Sequence, residues 1–377
     1  MSEYIKFFKD SSIYIFFLII VLIEIAMQFG CYKPFIKRNS YAANVNRITE
    51  HILDHQSELD PDILIVGTSL AYEGISVDIL NARFSELGMS VQSVAIPGAE
   101  LIVQSLAVDK VLKKFKNVKY IIHVNEAEMP WVDFSSLSDG TLAMISEFDR
   151  SIVYKEIYEH GYNVKYSDLA YIGVKLISYR KDIGDFILYP DKRIKGIGRI
   201  RREKLSSGKF PYLNEYKRSL AMYSFTNLEE CIKDTGQFSS IPNNSDEIHR
   251  DAIHRTCLLA KNQNLTTEKS VLTDLYKIRL QHLYKKFNDR NLKIINVFPP
   301  LPRFLDHVDY PAKIQFWKTE YSDILSGRTI NLYDSIPKEE SPKYFYDLVH
   351  MNQEGNKFFS EKLASEVLNI LRSEVNK

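Results

Sequence analysis

One apolar run near the start of the chain stands apart from the rest of the sequence. It covers Ile13–Phe29 and contains a single charged residue, Glu24. As a helix rising ~1.5 Å per residue, such a run approaches the ~30 Å hydrocarbon core of a bilayer. A transmembrane anchor over residues 11–32, after a polar tail over residues 1–10, is therefore predicted. A cleaved signal peptide and a buried core helix are the alternatives, but no small-x-small cleavage site follows the run.

Short apolar runs alternate with segments of helical period on both sides of the central part of the chain. The runs are typical of strands buried on both faces, and the spacing predicts a parallel sheet covered by helices. The predicted strands are Ile63–Val66, Val91–Ala95, Lys119–Val124, Lys293–Phe298 and Thr329–Leu332. The predicted helices are residues 40–60, 76–87, 101–115, 270–288 and 355–373. We expect an α/β fold, a three-layer sandwich with a central parallel sheet of the flavodoxin-like kind.

The alternation stops between the third and fourth predicted strands. Residues 135–290 show several helical segments and no strand rhythm. The prediction is a sheet domain in two parts, residues 33–134 and 291–377, separated by a mostly helical insert. About 150 residues far exceed an ordinary connection in a compact sheet, so the insert is expected to be functional or a small domain of its own.

Composition excludes several classes of protein. The 377 residues are 45% hydrophobic and 26% charged, with a formal net charge of +1, so nothing in the overall charge favours nucleic acid. No glycine-rich nucleotide motif stands between a strand and a helix. The three cysteines are scattered, without zinc spacing, and no metal or cofactor is predicted. Cys231 and Cys257 either pair in an oxidising compartment or remain buried thiols.

A basic segment lies inside the predicted insert. Two interpretations remain open: a solvated helix or loop face, or a contact for lipid head groups or an anionic polymer. The residues concerned are Lys192, Arg193, Lys195, Arg199, Arg201 and Arg202.

Three residues supply the parts of a nucleophilic site. Ser69 follows the first predicted strand, where open α/β sheets place their ligand crevice, and Asp347 precedes His350 by three residues. Hydroxyl, imidazole and carboxylate are the nucleophile, the general base and the group that orients the base. Structural alternatives exist for each: Ser69 as a helix cap, Asn125 as a turn residue, and His350 as a polar cap on the last helix.

The order of the motifs resembles the SGNH (GDSL-like) hydrolase superfamily. The motifs are Gly67-Thr68-Ser69, Pro97-Gly98, Val124-Asn125-Glu126 and Asp347-x-x-His350-x-Asn-x-x-Gly355. The chain departs from the family twice, because the family's Gly-Asp-Ser is Gly-Thr-Ser here and its Gly-x-Asn-Asp is His-Val-Asn-Glu. The resemblance covers residues 61–130 and 292–373 and excludes the middle segment.

The resemblance implies a role for each matching residue. Ser69 would be the nucleophile, His350 the base and Asp347 its partner. The oxyanion hole would comprise the backbone N–H groups of Ser69 and Gly98 and the side chain of Asn125.

The position of the insert in the chain gives a separate expectation. It leaves just after Asn125 and returns before the strand that ends at Pro299, both at the carboxyl edge of the sheet, so it would overhang Ser69 and shape the acceptor crevice. The alternative is a helical buttress on the far side of the sheet.

Together with the anchor, the motifs resemble membrane-bound acyl-transfer proteins of the bacterial cell envelope, of the D-alanyl transfer and alginate acetylation type. This likeness implies O-acyl transfer, with acetyl as the expected group, to an envelope glycan through acyl-Ser69. It also implies a multi-span membrane O-acyltransferase as partner, and a single-pass inner-membrane protein whose domain lies outside the cytoplasm. A carbohydrate or lipid esterase and a non-catalytic partner of a membrane acyltransferase are the alternatives.

Overall fold

The computed structural model describes residues 11–37, 40–55, 58–132, 135–206, 218–236, 244–262, 266–302, 309–325 and 328–375. The predicted tail, residues 1–10, lies outside these ranges. The strands are β1 Ile63–Val66, β2 Val91–Ser93, β3 Tyr120–Val124, β4 Lys293–Phe298 and β5 Thr329–Asn331. The helices are α1 Ser11–Gln28, α2 Tyr41–Asp54, α3 Ser69–Gly74, α4 Val77–Phe84, α5 Leu101–Leu112, α6 Met129–Val132, α7 Asp139–Ile145, α8 Arg150–Glu159, α9 Tyr166–Gly173, α10 Lys175–Ser178, α11 Arg180–Leu188, α12 Pro190–Ser206, α13 Leu228–Thr235, α14 Ser245–Lys261, α15 Val271–Asn288, α16 Tyr310–Glu320, α17 Ser341–Tyr344 and α18 Gln353–Val375.

The five strands form one parallel sheet in the order β2-β1-β3-β4-β5. The predicted α/β class and parallel sheet are confirmed. The side chains of β1 and β3 are buried throughout, as expected of strands covered on both faces. β1 lies between β2 and β3, so the strand order reverses there, and parallel sheets of this order hold ligands at the carboxyl end of that point.

The helices fall into two packed groups. α18 contacts α3 and α4, whereas α5 contacts α2, α7, α8 and α15. The chain moves one way across the sheet from β1 to β2 and the other way from β2 to β4. Right-handed crossovers then place α4 and α5 on opposite faces of the sheet.

α1 is long and apolar enough to cross a membrane, and the structure describes no other helix of which this is true. None of its residues is buried. The helix therefore is not a buried core helix, although a signal sequence at this position would have the same composition.

The predicted insert contains only helices and one isolated β-bridge within its described residues. However, α15 is part of the core of the sheet domain. Its Leu280, Leu283 and Phe287 are fully buried, and it packs on α5 and β4. The last helix before β4 thus covers the sheet, although the predicted insert includes it.

The remainder of the insert has two parts. The first, residues 135–206, packs near α1, α2 and α5. The second, residues 218–236 and 244–262, contacts the segment before α18: the N–H of Met222 donates to Phe345 O at 2.8 Å, and that of Gln353 donates to Arg218 O at 2.8 Å. The second part thus supports the segment that carries Asp347 and His350.

Candidate active site

Ser69 is the first residue of α3, directly after the turn that leaves β1. The helix is capped by its neighbour, because Thr68 Oγ1 accepts from the N–H of Leu70 at 3.3 Å. The capping role considered for Ser69 therefore belongs to Thr68, and the Ser69 hydroxyl is left for other contacts.

The structure brings Ser69 and His350 together across 281 residues of sequence. His350 Nε2 lies 3.1 Å from Ser69 Oγ. On the other side of the ring, Nδ1 lies 3.0 Å from Asp347 Oδ2 and 3.1 Å from Oδ1. This is the order of contacts that a Ser-His-Asp triad requires, with each separation within or close to hydrogen-bond range.

The turn from Asp347 to His350 is built by the carboxylate itself. Asp347 Oδ1 accepts from the N–H groups of Val349 at 2.8 Å and His350 at 2.7 Å. The N–H of Tyr346 donates to His350 O at 2.8 Å, which closes the turn. The carboxylate that contacts the imidazole is therefore also the one that shapes the backbone around it.

The rest of the motif serves the start of α18. Asn352 Oδ1 accepts from the N–H of Gly355 at 3.0 Å, and Asn352 Nδ2 donates to Lys343 O at 2.7 Å. A Cβ on Gly355 would lie 2.0 Å from Tyr344 O, so only glycine fits there. Asn352 caps the helix, and the role of polar cap considered for His350 is therefore filled by a neighbour.

Asp347 and His350 each stabilise the charged form of the other. Burial by itself lowers the pKa of His350, but the hydrogen bond and negative charge of Asp347 outweigh it and raise the pKa to about 9. Burial likewise opposes ionisation of Asp347, yet the hydrogen bonds and charge from His350 keep its pKa below the usual value. The site therefore favours an imidazolium beside a carboxylate, the charged state that forms when His350 accepts the Ser69 proton.

Two of the three predicted oxyanion donors are free. Among the described residues, neither the Ser69 N–H nor the Gly98 N–H has a hydrogen-bond partner. Gly98 has φ +74°, a left-handed conformation that favours glycine. Both backbone groups are thus available to a developing negative charge.

The third predicted donor is engaged elsewhere. Asn125 is buried, and its Nδ2 donates to Asn296 Oδ1 at 3.2 Å and to His123 O at 3.3 Å. Both amide hydrogens are used at the junction of β3 and β4. The expectation that Asn125 points an N–H group at the oxyanion therefore does not match this arrangement.

The two departures from the SGNH pattern meet in space. Thr68 Oγ1 donates to Glu126 Oε1, and both residues line a small cavity with Ala99 and Asn125. Burial raises the pKa of Glu126, while the Thr68 hydrogen bond and the charge of His350 act in the opposite direction. Thr68 and Glu126 therefore form one unit next to the nucleophile, a contact that separate motifs do not reveal.

Two charged residues missed by the sequence analysis lie beside His350. The negative charge of Glu73 favours the imidazolium, and the positive charge of Arg218 opposes it. Arg218 lies 4.0 Å from Glu73 and stacks 4.4 Å from the ring centre of Tyr346. Glu73 follows Ser69 by four residues on α3, a spacing that brings side chains onto one helix face and gave a usable signal. Arg218 had no such signal.

One residue of the basic segment is not a surface cation. Arg193 is buried and pairs with Asp182 at 3.0 Å and Asp185 at 2.8 Å, so its assignment as an anionic-surface contact is wrong. Lys192, Lys195 and Arg199 are exposed on α12. The side chains of Arg201 and Arg202 lie outside the described part.

Glu156, His160 and His282 are close enough to hold a cation, with their potential ligand atoms within 4.8 Å of one another. However, Lys286 Nζ and Ser105 Oγ already contact the Glu156 carboxylate. Together with His282 these partners keep the pKa of Glu156 at about 2, despite a burial that would raise it. We therefore interpret Glu156, His160 and His282 as part of an ion-pair network.

Comparison with known proteins does not assign this chain to a family. No protein-family model matches the chain, and no curated protein matches it. The functional argument therefore rests on the site itself.

Proposed function

We propose that this chain is a membrane-anchored serine acyltransferase that modifies a cell-envelope glycan through an acyl-Ser69 intermediate. The observation that carries the proposal is the continuous contact from Ser69 Oγ through the His350 ring to Asp347. A hydroxyl, an imidazole and a buried carboxylate in this order activate serine for acyl transfer.

In the first half-reaction, Ser69 Oγ attacks the carbonyl carbon of an acyl donor while its proton passes to His350 Nε2. The tetrahedral oxyanion is stabilised by the N–H groups of Ser69 and Gly98. Each such donor typically lowers the barrier by ~3 kcal/mol. The carbonyl reforms, the donor's leaving group departs with the proton from His350, and Ser69 carries the acyl group.

In the second half-reaction, a sugar hydroxyl gives its proton to His350 and attacks the acyl-Ser69 carbonyl. Ser69 leaves and recovers its proton from His350, so the enzyme returns to its starting state. Water attacking at this step would make the protein an esterase. Transferase and esterase therefore share the triad and differ in which nucleophile reaches the acyl-enzyme.

The choice of a transferase rests on the surroundings of the triad. α1 has the length and composition of a single-pass anchor. Cys231 and Cys257 form a disulfide, which is typical of domains outside the cytoplasm. These features, with the SGNH-like motifs, support a protein of the bacterial inner membrane whose domain faces the envelope. There a multi-span membrane acyltransferase would supply the acyl donor.

The test is acylation followed by partition. The full-length protein in detergent is incubated with p-nitrophenyl acetate, and the acetyl adduct is located by intact and peptide mass spectrometry. We expect one acetyl group on Ser69, absent in Ser69→Ala. The acyl-enzyme is then mixed with candidate envelope glycans, and acetyl-glycan is compared with free acetate.

Each outcome selects one function. Acetyl-glycan formed faster than acetate supports the transferase. Loss of the acetyl group to water alone, whatever acceptor is present, identifies an esterase. If Ser69 is never acylated although the protein is folded, the chain is a non-catalytic partner and the proposal fails.

A further inference from the structure

The C-terminal half of α1 contacts the first part of the insert. The Glu24 carboxylate accepts from the N–H of Lys175 at 2.8 Å and of Leu176 at 2.9 Å. These are the free N–H groups at the start of α10, so the charge in the apolar helix caps another helix. Gln28 Nε2 also donates to Gly173 O at 3.3 Å.

The segment after α1 is held by α11 and α12. Tyr32 OH donates to Asp182 Oδ1 at 2.7 Å, and the N–H of Lys37 donates to Asp182 Oδ2 at 2.9 Å. Arg193 pairs with the same carboxylate and donates to Phe35 O at 2.5 Å. The buried ion pairs of Arg193 therefore fix α11 and α12 next to the exit of the anchor.

A small apolar cluster continues this contact. Ile36, Ala42 and Tyr179 are buried together, with Met27, Tyr32 and Ile183 packed against them. Ile183 lies on α11, and one helical turn later the same face carries Ile187. The face that packs on the end of the anchor thus runs on into an exposed apolar side chain.

The turn between α11 and α12 exposes four large apolar side chains. Ile187 and Leu188 are each 71% exposed, and Tyr189 and Ile194 are more than half exposed. Side chains of this size are unfavourable in water, and a group of them next to positive charges is typical of interfacial membrane contacts. The neighbouring exposed cations are Lys192, Lys195 and Arg199.

We propose that the tip of α11 and α12, residues 187–195, inserts into the interfacial layer of the bilayer that α1 crosses. The apolar side chains would enter the boundary of head groups and acyl chains, while the cations meet anionic head groups. This inference rests on the membrane anchoring included in the proposed function. The tip and the anchor then hold the domain at two points, which limits its tilt.

The inserted tip would also determine which edge of the sheet faces the membrane. Tyr41, the first residue of α2, lies 3.0 Å from the position of a Cβ on Gly98. The carboxyl edge of the sheet therefore adjoins the exit of the anchor. α2, with 14 residues, runs about 20 Å away from it. Held in this way, Ser69 would face a membrane-borne acyl donor.

The test measures membrane depth in the full-length protein. In a Cys31→Ser background, single cysteines at Ile187 and Leu188 are labelled with an environment-sensitive fluorophore, and the protein is reconstituted into phosphatidylcholine and phosphatidylcholine–phosphatidylglycerol vesicles. Leu18→Cys on α1 reports insertion of the anchor. Lys116→Cys, exposed before β3 at the opposite edge of the sheet, is the aqueous reference.

We expect blue-shifted emission and quenching by spin-labelled lipid at residues 18, 187 and 188, and neither at 116. The shift at 187 should be larger with phosphatidylglycerol and should shrink in Lys192→Gln/Lys195→Gln. Quenching at 18 without quenching at 187 and 188 would overturn the proposal while leaving the anchor intact. Absence of quenching at 18 would refute the anchoring itself and, with it, this inference.

Discussion

Asp347 is the neighbour that does most to raise the pKa of His350. Because the pKa of His350 is raised to about 9, most of the resting protein holds an imidazolium near neutral pH. In the proposed reaction the base is the neutral ring of His350, so the rate of Ser69 acylation by an activated ester should rise with pH towards a midpoint near 9. Asp347→Asn should shift the midpoint to lower pH and reduce the maximal rate by up to about 10⁴-fold. Stopped-flow release of nitrophenol over a pH series measures both, and an unchanged midpoint in Asp347→Asn would contradict the assignment.

The charges of Glu73 and Arg218 act on the same ring with opposite signs. Glu73→Gln removes a negative charge that favours the imidazolium, so it should lower the midpoint of the acylation profile. Arg218→Gln removes a positive charge and should raise the midpoint. Arg218→Lys keeps the charge and serves as the control, with the wild-type midpoint expected. Shifts of equal sign in the two Gln variants would show that packing, rather than charge, is being measured.

Residue type and spacing were sufficient for Ser69, Asp347 and His350, because a triad needs particular side chains after particular elements. Residue type and spacing were insufficient where residues distant in sequence bind the side chain in question. Asn125 has its amide hydrogens taken by Asn296, 171 residues away, and by the carbonyl of His123. Arg193 lies among other basic residues in the sequence, which suggested a surface cation, but the fold buries it against Asp182 and Asp185.

The turn before α18 explains why the motif continues to Gly355. Gly355→Ala would place a Cβ 2.0 Å from Tyr344 O, so the turn or the helix must shift. We expect a loss of stability of more than 1 kcal/mol and a much slower acylation, because the same backbone carries His350. Asn352→Ala should cost about 1 kcal/mol through the lost cap. Urea unfolding measures both, and Gly184→Ala, at a helical glycine whose Cβ position is open, controls for the substitution without a clash. Equal losses in the two Gly variants would exclude the clash.

The central strands β1, β3 and β4 were predictable because the sheet buries almost all of their side chains on both faces. Their apolar runs give β1 and β4 at their observed bounds, and β3 within one residue. The helix α15 was predicted over residues 270–288 but assigned to the insert. Its sequence shows that it is amphipathic, whereas its packing partner, α5, depends on the direction in which the chain crosses the sheet. Periodicity identifies a helix, and only the topology decides which layer it joins.

At the scale of the whole molecule, the disulfide joins two helices of the second part of the insert, and one of them contacts the turn that carries Asp347 and His350. Cys231 on α13 and Cys257 on α14 are both fully buried. α14 holds the turn from one side: His249 Nε2 donates to Tyr346 O at 2.7 Å, and Thr256 Oγ1 accepts from the N–H of Leu348 at 3.1 Å. Deleting the insert would therefore remove direct support from Asp347.

The double variant Cys231→Ser/Cys257→Ser tests this connection. Opening a loop of 26 residues should lower the free energy of unfolding by roughly 3 kcal/mol, and the loosened α14 should also slow acylation of Ser69. Cys31→Ser, which removes the exposed free thiol, should change stability by no more than about 0.5 kcal/mol. Reduced wild-type protein should unfold at the same urea concentration as the double variant. If stability falls while the acylation rate is unchanged, the disulfide stabilises only α13 and α14. The turn that carries Asp347 and His350 then does not depend on the disulfide.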